Sequence, residues 1–160
     1  VAASSECEAQ LLARLPRRAS MPGARKVEDD NLRRLALARL LLGDAPEALA
    51  LLARIPPATD ADADDRARVQ AEAYRLLALA LQGQAEPAAA SALAERLPGL
   101  PEGGFDRGDV RIALAAQARV SGDAEAAERW LRELPTGYRP GQVPARFDVL
   151  STQVRAIATP

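Results

Sequence analysis

Apolar side chains return along this chain in helical rhythm, interrupted at regular intervals by glycine and then by proline. The first clear block holds Leu32, Leu35, Leu37, Leu40, Leu41 and Leu42. On a 3.6-residue helix these cover well over half the circumference, which predicts a helix packed on two sides. Gly43 then supplies a residue able to take the left-handed conformation that closes a helix. Asp44 follows as a cap, with Pro46 in the first turn and Glu47 completing a capping box. A second helix carries Ala48, Leu49, Leu51, Leu52 and Ile55 and stops at Pro56-Pro57, because a residue before proline is pushed toward extended backbone.

The same phrase recurs. Ile112, Leu114, Ala115 and Ala118 precede Ser121-Gly122-Asp123, and Ala126, Ala127, Trp130, Leu131 and Leu134 precede Pro135. A looser copy runs from Val69 through Gly83-Gln84 to Pro98, with Pro87 early in its second helix. The turn glycines Gly43, Gly83 and Gly122 are 40 and 39 residues apart, and the stops Pro56, Pro98 and Pro135 are 42 and 37 apart. Self-similarity at this period predicts stacked helical hairpins, about 24–56, 62–98 and 106–135. Residues 4–16, with Leu11, Leu12 and Leu15 before Pro16, read as a second helix alone. Phe147, Leu150, Val154 and Ile157 predict a final helix over about 144–158. The whole is expected to be one helical-repeat domain, 1–160.

Composition agrees with an all-α protein. The 160 residues are 48% apolar and 27% charged, more than a third are Ala or Leu, and aromatics are 3%. No apolar run approaches the length of a membrane span, so membrane insertion is not expected. With 21 basic and 22 acidic residues the net charge is -1, too balanced for a protein that neutralises phosphates, so nucleic acid is not expected as a partner. There is no histidine and a single cysteine, Cys7. A disulfide framework, a Cys/His zinc site and a histidine triad cannot be built within one such chain. No phosphate loop or nucleophile elbow occurs. The expectation is therefore a protein without catalytic, metal or cofactor residues. Val1 to Ser5 is small and polar, as after signal cleavage or at a cut from a longer chain.

The turns Gly43-Asp44 and Gly122-Asp123, the small residues Ala48 and Ala127 five positions after each glycine, Leu52 and Leu131 four further on, and the closing prolines together resemble the tetratricopeptide-repeat superfamily in its divergent bacterial form. The likeness covers about residues 24–135. The repeats exceed the family's usual length of about 34 residues, and Leu or Ala replaces most of its first-helix aromatics, Tyr74 being the exception. The resemblance implies an α-solenoid, a right-handed superhelix of antiparallel hairpins whose first helices line a concave face where a partner protein or peptide lies. Carried over by position, that face comprises Asp30, Arg33, Leu37 and Leu40, then Gln70, Ala73, Leu77 and Ala80, then Asp109, Ile112, Ala116 and Arg119. Members that grip a carboxylate terminus pair basic side chains with Asn; Arg33 and Arg119 are the only basic candidates here, and no Asn accompanies them.

Other clusters read as structure. Asp60, Asp62, Asp64 and Asp65 open like a calcium loop, but Asp65 stands where the turn needs Gly and Ala71 where the bidentate Glu belongs, so they are expected to cap the following helix. Arg17, Arg18, Arg25 and Lys26 lack a neighbouring aromatic for base stacking and read as a solvated loop. Cys7 reads as an inert thiol among Ala and Leu, and Trp130 as a wedge between hairpins. The functional expectation is a non-enzymatic scaffold gripping a protein or peptide on its concave face. By analogy with bacterial solenoids, its setting is an envelope, secretion or exopolysaccharide-export assembly in the periplasm. Two alternatives belong to other classes: a docking or regulatory segment of a larger enzyme or transcription activator, and a groove for a polysaccharide using Tyr74 and Trp130.

Overall fold

The computed structural model of the chain describes residues 24–56, 66–102, 104–134 and 145–158. Seven α-helices run through them: α1 (Ala24–Leu41), α2 (Ala45–Leu52), α3 (Arg66–Leu81), α4 (Pro87–Arg96), α5 (Phe105–Val120), α6 (Ala124–Arg132) and α7 (Ala145–Arg155), with a 3-10 turn at Leu97–Gly99. No strand occurs among the described residues, so the protein is all-α. Residues 4–16, the aspartates 60–65, Cys7, Arg17 and Arg18 lie outside the described residues. Arg25 and Lys26, expected in a loop, fall in the first turn of α1.

The three glycine turns are built alike. Gly43, Gly83 and Gly122 have φ of 78°, 76° and 86°. In each, the glycine N–H returns to the carbonyl three residues back and the next N–H to the carbonyl five back: Gly43 to Leu40 and Asp44 to Arg39, Gly83 to Ala80 and Gln84 to Leu79, Gly122 to Arg119 and Asp123 to Ala118. This reciprocal closure satisfies carbonyls that a helix end otherwise leaves bare. Asp44 then accepts from the Glu47 N–H at 3.3 Å, and Asp123 from the Ala126 N–H at 2.8 Å. At the middle turn the N-cap residue, Glu86, makes no side-chain cap, its carboxylate being taken by Arg75. There the Glu86 N–H donates instead to Gln117 Oε1 at 2.7 Å, an acceptor supplied by α5.

Packing joins the hairpins into one core. α2 lies against α1 and α3, α4 against α3 and α5, and α6 against α5. The odd-numbered helices form their own row, α1 on α3, α3 on α5 and α5 on α7, of which α3 on α5 is the most extensive. Leu32, Ala36 and Leu40 of α1, Ala73, Leu76, Leu77 and Ala80 of α3, and Val110, Ile112, Ala113 and Ala116 of α5 are buried along it. Alanines at these positions let helix axes approach closely, which accounts for so much Ala in the composition. Gln117 is a buried polar member of this row. Its amide donates to the Leu76 and Gln84 carbonyls while its oxygen serves Glu86, so one buried side chain ties α5 to the α3–α4 turn.

The row does not stay open. α7 packs on α5 and also reaches back to α1, where Gln153 Nε2 donates to the Leu40 carbonyl at 3.0 Å across 113 residues of sequence. The four odd-numbered helices thus close on one another, and the sequence expectation of a vacant concave face is not met.

Candidate protein-interaction face

Asp109 lies at the centre of this closure. Its position in the first turns of α5 places its carboxylate, 2% exposed, beside α3. Tyr74 donates its hydroxyl to Oδ2 at 2.9 Å and Gln70 its amide at 2.6 Å. These donors are one helical turn apart on α3, so the spacing that makes them neighbours is written locally. From α7, Arg146 Nη2 reaches both carboxylate oxygens at 2.9 Å. Burial pushes the Asp109 carboxyl up to about 6, against the pull of the Arg146 guanidinium and of the two hydrogen bonds from α3. At neutral pH the group is a carboxylate facing a cation, which is what the three donors require. Burial and the Asp109 charge together hold the Tyr74 phenol well above its ordinary range, so it keeps the proton it donates to Asp109.

A second feature seats α7 beside this pair. Phe147 lies over Gly108, where an added Cβ would stand 2.3 Å from the ring's Cζ, so only glycine leaves room for the ring. The Arg146 guanidinium lies 4.5 Å from the Phe105 ring centre and 4.8 Å from that of Phe147, a cation shared by two adjoining aromatic rings. Farther along α7, Leu150 and Val154 are fully buried and Ser151 nearly so. At the far end Arg119 donates to the Ile157 carbonyl at 3.2 Å and the Arg155 carbonyl at 3.1 Å, and Arg155 pairs with Glu128 of α6.

The residues assigned to a partner-binding face fall into three groups. Ala73, Leu77, Asp109 and Ile112 are buried, as are Leu40, Ala80 and Ala116, so none can meet a partner while α7 is in place. Gln70 and Arg119 are bound to Asp109 and to the end of α7. Asp30, Arg33 and Leu37 line the α1 side, Asp30 and Arg33 as an ion pair at 3.0 Å and Leu37 partly buried against the core. Sequence reasoning missed Gly108, Gln117 and Arg146. The signals were slight: a glycine among the charged residues that open α5, a glutamine within its run of alanines, and an arginine preceding the first large apolar residue of α7. Trp130 is partly buried against the core.

The outer side carries a second concavity of about 700 Å³ between α2 and α4, with α3 as its floor. Leu49, Leu52, Val69 and Leu93 line it, and Arg68, Arg75 and Arg96 stand around it. It arises because α4 faces it with Ala89 and Ala92, too small to reach α2. Glu72 and Glu86 both bind Arg75. Among the described residues no group of three or more His, Cys, Asp or Glu is placed to hold a metal ion, and no helix is long and apolar enough to cross a membrane. No protein-family model, curated protein or solved structure matches the chain.

Proposed function

We propose that the chain is a non-enzymatic protein-interaction module, an α-solenoid of the tetratricopeptide-like kind, in which the row α1, α3 and α5 is a seat for an amphipathic helix of another protein. The observation that carries this reading is the way α7 is held. An eleven-residue helix lies on that row with one stripe, the apolar Phe147, Leu150 and Val154 together with Ser151, buried and its opposite side in solvent. This is how a helix lies in a receptor groove, with anchors at helical spacing and polar contacts at the ends.

A photo-reactive amino acid placed at Leu37 or Gln70, at the edge of the seat, is expected to cross-link a partner protein in cells. The same residue at Glu125 or Arg129, on the exposed side of α6, is expected not to. Cross-links confined to the α6 positions, or none from the seat, would sink the proposal.

A further inference from the structure

Resting on that reading, we infer that the seat selects helices presenting the pattern Arg-Phe-x-x-Leu-x-x-x-Val, and that α7, which carries it as Arg146, Phe147, Leu150 and Val154, is an internal competitor for such partners.

The receptor half is complete without α7. Gln70 and Tyr74, both on α3, already direct two donors at one oxygen of Asp109. What remains is a carboxylate that becomes buried as a helix docks over it, and the cation it then needs comes with the occupant, as Arg146 does on α7. Beside it, Gly108 leaves a notch that an aromatic ring fills and a Cβ would close. Charge and notch belong to adjacent residues of α5, so they demand adjacent residues on the occupant, a cation followed by an aromatic. Leu150 and Val154 continue the same face one and two turns on, each fully buried. An arginine suits the site better than a lysine, because Nη2 at the tip reaches the Asp109 oxygens while the guanidinium carbon behind it lies over the Phe105 and Phe147 rings, where a lysine carries only a methylene.

The attachment of α7 is less extensive than the joint between α3 and α5, where Ala and Leu packing is joined by the buried Gln117, the bonds of Gln70 and Tyr74 to Asp109 and the Arg66–Asp106 ion pair. α7 is anchored by three large apolar side chains, a charge pair, and side chains donated to backbone carbonyls at Leu40, Arg155 and Ile157. Such a joint can open while the rest stays folded.

The test uses the full chain and a fluorescent peptide of residues 145–158, titrated by anisotropy. Phe147→Ala in the chain weakens the internal competitor, and this variant is expected to bind the peptide at least tenfold more tightly than the unaltered chain. A peptide carrying Arg146→Glu, or a chain carrying Asp109→Asn together with Phe147→Ala, is expected to lose at least tenfold. Equal binding of the Arg146→Glu peptide, or no binding by a Phe147→Ala chain that still melts cooperatively, overturns the inference.

Hydrogen exchange on the unaltered chain decides independently should that variant not fold. Amides of Leu150–Val154 are expected to exchange at least 100-fold faster than those of Ile112–Ala116, and equal rates overturn the inference. Cross-linking of a partner from Leu37 and Gln70 combined with a failed peptide titration removes the Arg-Phe rule and leaves the interaction module standing. Selective peptide binding with no cross-linked partner supports the rule and removes the module.

Discussion

Asp109 places a chargeable group where water does not reach, and its titration follows. The unfolded carboxyl releases its proton near 3.8, whereas burial holds the folded one up to about 6. Between these values the native state keeps a proton that the unfolded state has lost, so stability falls as pH rises through the window and is highest below it. Arg146, Gln70 and Tyr74 moderate this by favouring the carboxylate, and nearby Asp106 adds to it. Relative to an Asp109→Asn variant, the natural chain is expected to lose on the order of 2 kcal/mol between pH 4 and pH 6.5. Thermal melts of both proteins across that range check this, and a constant difference refutes it. Gly108 makes the complementary case. Alanine is the better helix former by about 0.5 to 1 kcal/mol, yet its Cβ would collide with Phe147. Gly108→Ala is therefore expected to destabilise by about 1 to 3 kcal/mol, an effect that Phe147→Ala in the same chain should abolish.

At the scale of elements, what could be read from the sequence was what is fixed within a few residues. The hairpin turns were legible because Gly43 and Gly122 are followed by a capping aspartate, and both features act locally. Gly83 followed by Gln84 gave a fainter signal, and the structure shows why: its cap comes from Gln117, 31 residues away from Glu86. Docking of α7 was not legible. Its apolar spacing foretold a helix, but where that helix lies depends on Gly108, Asp109 and Leu40, which periodicity does not connect to it. Three substitutions test the element level. Gly43→Ala meets open space, so its cost is backbone alone, expected at about 1 to 2 kcal/mol for a positive φ. Leu40→Ala and Leu131→Ala each empty a buried leucine site and are expected to cost about 2 to 5 kcal/mol in denaturant titrations.

For the whole molecule, the closure of α7 onto α1 decides which surface is available. Removing residues 145–160 would take the cation from Asp109 and the ring from Gly108, and would bare the side of α5 on which α7 packs. That truncated chain is expected to associate in a concentration-dependent way, visible by sedimentation, and to melt below the natural chain. A truncated chain that stays monomeric with an unchanged melting temperature would mean that α7 shields nothing of consequence.

Arg119 takes on a further meaning from the direction of the helices. Contacts pair the starts of α3, α5 and α7 through Asp109, and the ends of α1, α5 and α7 through Leu40, Arg119 and Gln153, so these helices run parallel. Their macrodipoles would add, gathering negative poles along one edge. In each hairpin the returning helix, α2, α4 or α6, brings its positive pole to that edge and cancels the field. At the end of α7, Arg119 of α5 sets its guanidinium against the Arg155 and Ile157 carbonyls, so a point charge from a neighbouring helix meets that negative pole directly.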